Sequence, residues 1–94
     1  MDIVHVPGED RGEILLYTLS TCAWCRKMKR WLDEKGFAYS YVDVDLESGS
    51  EKEKLMEEVE RWNPLCSFPT VVVNQRECFV GYKPEKLMEL IESK

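Results

Sequence analysis

The chain has 94 residues, 44% hydrophobic and 33% charged, which suits one domain with its own core and excludes disordered and fibrous classes. A net charge of −5 argues against a general nucleic-acid binder, which is ordinarily basic. No apolar run reaches membrane-span length and Met1-Asp2-Ile3 opens no signal peptide, so a soluble, cytoplasmic protein with no membrane partner is expected.

Residues 1–12 hold Pro7, two glycines and mixed charge, and are expected to form an N-terminal arm or a loosely attached edge segment ahead of a domain over 13–94. Glu13 to Leu19 is a short, nearly continuous apolar run, as in a central buried strand. From Ala23 to Lys35, Met28, Trp31 and Leu32 recur at helical spacing, and Gly36 suits a C-cap. Phe37 to Asp45 alternates as a second strand, with Tyr39 and Tyr41 opposite Val42 and Val44. Ser48-Gly49-Ser50 is turn chemistry, with Ser50 as N-cap of a helix over Glu51 to Trp62 that Asn63-Pro64 ends. Thr70 to Val73 and Glu77 to Gly81 flank a short loop in the pattern of a hairpin. Pro84 starts a last helix whose buried face is Leu87, Met88 and Ile91. The order β-α-β-α-β-β-α predicts an α/β domain, a four-stranded mixed sheet with three helices.

Cys22-Ala23-Trp24-Cys25 sits between the first strand and the first helix. A Cys-x-x-Cys at a strand-to-helix junction is a redox signature; elsewhere it is usually half a metal site. At the helix start, unpaired N–H groups and the positive end of the dipole favour a thiolate on Cys22. Cys25 follows within a turn, so the two sulfurs can close a small disulfide ring. Two structural cysteines would show the same spacing, but the strand before, the helix after and Pro69 downstream favour redox chemistry. Zinc needs about four ligands, and His5, Cys66 and Cys78 are the only other soft candidates.

With Ser67-Phe68-Pro69-Thr70 ahead of the third strand, the Cys-x-x-Cys and the element order resemble the thioredoxin fold, specifically the glutaredoxins, over about residues 13–92. The resemblance implies a thiol–disulfide oxidoreductase in which Cys22 attacks a disulfide and Cys25 resolves the mixed disulfide. It implies a cis-proline at Pro69, with Phe68 offering backbone hydrogen bonds to a substrate chain. It also implies no bound cofactor, a monomer, protein disulfide substrates and a disulfide reductase as partner. Glutathione-using members usually carry Cys-Pro-Tyr-Cys, a lysine three residues before the first cysteine, and a Gly-Gly-x-Asp turn. Here the dipeptide is Ala23-Trp24, the lysine position holds Leu19 and the turn reads Gly81-Tyr82-Lys83-Pro84. That turn is more similar to the Gly-Phe-Arg-Pro of NrdH-redoxins, which supply electrons to ribonucleotide reductase, and the glutathione signature is weak. An iron–sulfur or zinc carrier binding through Cys22 is the alternative, since some glutaredoxins bridge a cluster between subunits.

Arg26-Lys27-Met28-Lys29-Arg30 is a basic run in an acidic chain, and early in a helix it opposes the dipole. It reads as thiolate support, through Arg26 and Lys29, as docking of an acidic partner, or as a plain solvated face. Trp24, between the cysteines, is expected to be exposed toward substrate. Gly81, Tyr82 and Lys83 are expected at the rim, where Tyr82 and Lys83 would select partners, and with Trp24, Phe68, Pro69 and Thr70 they form the expected substrate-binding set; Thr70 is also expected to hydrogen-bond locally. Trp31 and Trp62 read as core, Cys78 as a small buried hydrophobe, Cys66 as a spectator thiol near the rim, and His5 as part of a mobile arm. Asp43 and Asp45 read as solvated loop carboxylates.

Overall fold

The computed structural model describes residues 3–92. Its elements are β1 (Val4–Val6), β2 (Ile14–Thr18), α1 (Ala23–Lys35), β3 (Tyr39–Asp43), a 3-10 turn (Val44–Leu46), α2 (Gly49–Trp62), β4 (Thr70–Val73), β5 (Glu77–Val80) and α3 (Pro84–Glu92). The sheet order is β1-β3-β2-β4-β5, with β2 and β3 parallel and the other pairs antiparallel. The expected α/β fold is present, with five strands where four were expected.

The fifth strand comes from the segment read as an arm or a loosely attached edge segment, and it forms one edge of the sheet. Val4, His5 and Val6 pair antiparallel with Tyr41, Ser40 and Tyr39. His5 is therefore held, its Nδ1 2.7 Å from Ser40 Oγ. The chain then crosses the end of α1 so closely that a Cβ on Gly8 would lie 2.6 Å from the Gly36 carbonyl oxygen. Glu9 N–H donates to that oxygen at 2.7 Å, and Ala38 N–H donates to Glu9 at 2.8 Å. Three residues of strand between a terminus and Pro7 give too little periodicity to read, so only the partner strand reveals them.

α1 ends as its sequence asks. Gly36 takes φ 72°, its N–H donates to Asp33, and Phe37 N–H donates to Leu32. These are the two bonds of a Schellman cap, and Leu32 and Phe37 both enter the core beside it. α2 begins at Gly49 with Ser48 in the cap position, ahead of the expected Ser50. The second strand stops at Asp43, because Val44–Leu46 turns to feed α2.

The core has two layers. Met28 and Leu32 of α1, and Leu87 and Ile91 of α3, pack with Ile14, Leu16, Val71, Val73 and Phe79 on one face of the sheet. Leu55 and Val59 of α2 cover Tyr17, Val42, Val44 and Val72 on the other. Each fully buried side chain of this size contributes about 1.5–3 kcal/mol. The strands β2 and β4, paired Tyr17 to Thr70, therefore present the segment after Thr18 and the segment before Thr70 at the same end of the sheet. That end carries the cysteines.

Candidate active site

Cys22 is the N-cap of α1, at φ −85° and ψ 118°, and its Sγ accepts a hydrogen bond from Cys25 N–H at 3.2 Å. That geometry suits an anionic sulfur, because a hydrogen bond to a charged acceptor is roughly twice as strong as one to a neutral acceptor. Cys22 is half-buried, whereas Cys25 is 0% exposed. Burial, and next the hydrogen bond with Cys22, push the Cys25 thiol up to about 12. One helical turn thus holds an accessible sulfur and a hidden one that keeps its proton.

The segment entering this turn is fastened from below. Thr18, fully buried, donates from its hydroxyl to Asp43 Oδ1 at 2.6 Å and to the Val42 carbonyl at 3.1 Å. Ser20 donates its N–H to Asp45 at 2.8 Å and its hydroxyl to the same carboxylate. The Ser20 hydroxyl and N–H hold Asp45 below the usual carboxylate range. Asp43 and Asp45 are therefore not the solvated loop carboxylates the sequence suggested; they clamp the strand-to-cysteine loop.

Lys29 completes this floor. Its Nζ lies 3.2 Å from Asp43 Oδ1 and 3.8 Å from the centroid of the Tyr41 ring. It stands one helical turn after Cys25, and its charge counters part of the rise that burial imposes on that thiol. The lysine offered from sequence as thiolate support is thus ion-paired with Asp43. Arg26 is exposed and turns its guanidinium toward the Thr21 carbonyl, 3.5 Å away.

The proline loop is built around Asn63, a residue read from sequence only as a helix stop. Its Nδ2 donates to the Ser67 carbonyl at 3.1 Å, to Ser67 Oγ at 3.0 Å and toward Thr70 Oγ1 at 3.4 Å. Its Oδ1 accepts from Leu65 N–H at 3.2 Å. Thr70, fully buried, donates to the Ser67 carbonyl at 2.7 Å, so its side chain is spent inside the loop rather than offered to a substrate. The Phe68–Pro69 bond is cis, as the resemblance implied. Gly81, at φ 95°, donates its N–H to the Pro69 carbonyl at 2.9 Å and so ties the turn before α3 to this loop. Lys83 is exposed, and its carbonyl accepts from Leu87 N–H in the first turn of α3.

Above this floor the rim is aromatic and basic. Trp24 is 57% exposed and stacks on Tyr82, ring centroids 6.1 Å apart. Lys27 Nζ sits 5.1 Å from the Trp24 centroid and 4.8 Å from that of Tyr82. Cys22, Trp24 and Tyr82 are thus brought to one side by α1 and the Gly81 turn. Leu19, Cys66 and Phe68 pack against the α2 layer instead. Cys78 is half-buried, its thiol donating to the Trp62 carbonyl at 3.2 Å, and Trp31 and Trp62 are half-buried rather than central. A cavity of about 600 Å³, lined by residues such as Glu13, Glu58, Arg61 and Trp62, contains none of the site residues. Among the described residues no group of three or more histidines, cysteines and carboxylates is placed to hold a metal ion. No helix among them is long and apolar enough to cross a membrane.

A Cys-x-x-Cys opening the first helix of a βαβ unit, beside a proline loop, defines a thiol redox protein of the thioredoxin fold. The glutaredoxin family model matches residues 14–78, and the chain belongs to the glutaredoxin family, whose members are thiol–disulfide oxidoreductases. It is similar to the glutaredoxin of Methanosarcina mazei Go1, with a TM-score of 0.88 and 42% identity over 98% of this chain and 89% of that one. The methanoredoxin of Methanosarcina acetivorans gives a TM-score of 0.85 and 42% identity, covering 90% of each chain. The Gene 56 protein of Mycobacterium phage D29 is 32% identical over 79 residues, 84% of this chain and 82% of that protein.

Proposed function

We propose that this oxidoreductase is an electron carrier that reduces disulfides of protein clients through the Cys22–Cys25 pair. The observation that carries the reading is the contrast within one helical turn: Cys22 is accessible and hydrogen-bonded as an acceptor, and Cys25 is wholly buried. The Cys22 thiolate attacks one sulfur of the client disulfide, forming a mixed disulfide and releasing the other sulfur as a thiolate that takes a proton. Cys25 then loses its proton and attacks Cys22 Sγ, closing the Cys22–Cys25 disulfide and releasing the second client thiol. Two electrons pass to the client, and a disulfide reductase supplies two more to reopen the Cys22–Cys25 disulfide.

Lys29 acts in the second step, where a charge must appear on a buried sulfur and a nearby ammonium lowers its cost. Phe68 beside Pro69 offers backbone to an extended client segment, with Gly81, Tyr82 and Lys83 forming the adjoining wall. Leu19 places an apolar side chain where glutathione-using relatives have a lysine, which supports a protein client over glutathione. With the Gly81-Tyr82-Lys83-Pro84 turn, this favours a role like that of the NrdH-redoxins, with ribonucleotide reductase among the clients and the carrier acting as a monomer.

The test is insulin-disulfide reduction with an added dithiol as electron source, alongside metal analysis of anaerobically purified protein. Cys22→Ser is expected to abolish turnover. Full activity in Cys22→Ser would falsify the assignment. Stoichiometric metal lost in that variant, with no turnover in the parent, would show a metal carrier instead.

A further inference from the structure

Four exposed cations lie on the two elements that meet at the rim: Arg26, Lys27 and Arg30 on α1, and Lys83 on the turn before α3. Among the described residues none of them is within ion-pair distance of a carboxylate, although the chain as a whole carries a net charge of −5. The first turn of α1 contains no acidic residue. Arg26 follows directly on that turn, where a cation works against the helix dipole, and it repels Arg30 at i, i+4 spacing. Stability of the helix therefore does not account for Arg26 and Arg30.

Lys27 differs from its neighbours because its position is fixed. Trp24 and Tyr82 stack on each other, and the Lys27 ammonium lies 5.1 Å and 4.8 Å from their centroids. Each such contact is a modest net attraction at an exposed site. The aromatic pair therefore lowers the entropy cost of presenting the ammonium, and leaves an apolar plate for a partner side chain or backbone to cover. The cations run roughly 6 Å along α1, from Arg26 to Arg30, and Lys83 extends them onto the facing turn. That extent exceeds one small anionic group and suits a stretch of polypeptide.

We propose that the stacked Trp24–Tyr82 pair and the Lys27 ammonium held against it, with the neighbouring cations, form a docking surface for an acidic segment flanking the client's disulfide. The proposal rests on the disulfide-reductase reading above and specifies which clients that site selects. The segment is polypeptide: it lays carboxylates against Lys27, Arg26, Arg30 and Lys83 while its disulfide reaches Cys22. Charge complementarity of this kind acts mainly on the association step, so it belongs in kcat/KM and weakens with salt.

The experiment compares two bridged peptides identical except that the residues flanking the disulfide are Asp and Glu in one and Lys in the other. The rate constant for reduction by pre-reduced protein is measured at low ionic strength and in ~1 M salt, where the Debye length falls to about 3 Å. The expected result is about a tenfold preference for the acidic peptide at low salt, collapsing toward unity at high salt. Lys27→Gln is expected to cut that ratio severalfold. Lys54→Gln, on the exposed side of α2, changes net charge equally and is expected to leave the ratio in place. Equal rates for the two peptides, or the same loss from Lys54→Gln as from Lys27→Gln, overturn the docking proposal while leaving the reductase reading intact. Failure to reduce either peptide overturns the reductase reading itself.

Discussion

The floor and the rim of the site are built from opposite materials. On the floor, Thr18, Cys25 and Thr70 are fully buried and Asn63 nearly so. Among the described residues, no buried side-chain nitrogen or oxygen lacks a hydrogen-bond partner. On the rim, Trp24, Arg26, Lys27, Arg30 and Lys83 face solvent, and the cations have no carboxylate beside them. A saturated buried network tolerates little change, because removing one partner strands another away from water. An unsaturated exposed surface can change at small cost and is free to be complementary to something else. The floor therefore holds the cysteines and the proline loop in place, and the rim is where the proposed choice of client would be made.

The largest break in that division is at the cysteines. Cys25→Ser leaves the outer sulfur in place and removes the resolving one. It is expected to halt turnover and to accumulate a mixed disulfide with protein clients, visible as a reducible band on non-reducing gels. Turnover at the parental rate would show that the buried sulfur is a bystander.

Asn63→Ala tests whether the floor holds the proline loop. It removes the hydrogen bonds from Asn63 to Ser67, Leu65 and Thr70, each with a net contribution of about 0.5–1.5 kcal/mol, while water can take up the freed groups of the exposed Ser67 and Leu65. A loss of about 2 kcal/mol is expected in urea unfolding, with a change within a few tenths arguing that the loop stands without it.

Lys29→Met sharpens the comparison, since Lys29 belongs to the floor although it lies in the basic run. With an aromatic disulfide whose leaving thiol is coloured, release of the first thiol reports attack and release of the second reports resolution. The second phase is expected to slow about tenfold at neutral pH, an increment of about 1.4 kcal/mol, while Lys29→Arg restores it. Equal slowing of both phases would return Lys29 to the outer sulfur.

A last difference between floor and rim is one of pH. In the folded dithiol, Cys25 keeps its proton up to about 12, above the thiol's ordinary 9.0. Burial first, and then hydrogen bonds to Glu58 and Asp33, also push Tyr17 and Tyr39 upward. Above pH ~9 the unfolded chain releases these protons before the native one does, so the native state holds more protons and stability falls as pH rises. Each such group contributes a slope of at most about 1.4 kcal/mol per pH unit within its window. The disulfide form lacks the Cys25 contribution, so its alkaline unfolding profile is expected to be shallower than that of the dithiol. Identical profiles would place Cys25 in a less buried setting.

What could be read from sequence follows from range. The Cys-x-x-Cys, the apolar face of α1, its Gly36 cap and the α3 stripe depend on neighbours within a turn, and each lies where expected except that Trp31 and Met88 are only half-buried at the edges of those faces. Trp24 is exposed for the same local reason. Thr18 with Asp43, and Ser20 with Asp45, are pairs 25 residues apart that meet only because β2 and β3 run parallel. The same distance hid β1, whose three residues gain meaning only against β3. Asn63 lies close in sequence to its partners, and an Asn before a proline could have signalled a side-chain-built loop as well as a helix stop. Lys27 was legible as charge but not as a clamped charge, because Tyr82 reaches it from the far end of the chain.

The most direct test of the central claim is a cysteine map after one turnover. Pre-reduced protein is mixed with excess insulin, quenched by alkylation and analysed by peptide mass spectrometry. The expected outcome is a Cys22–Cys25 disulfide forming in step with opened insulin disulfides, with Cys66 and Cys78 recovered as alkylated thiols. Opened insulin without that disulfide, or a bridge that enlists Cys66, would contradict the account.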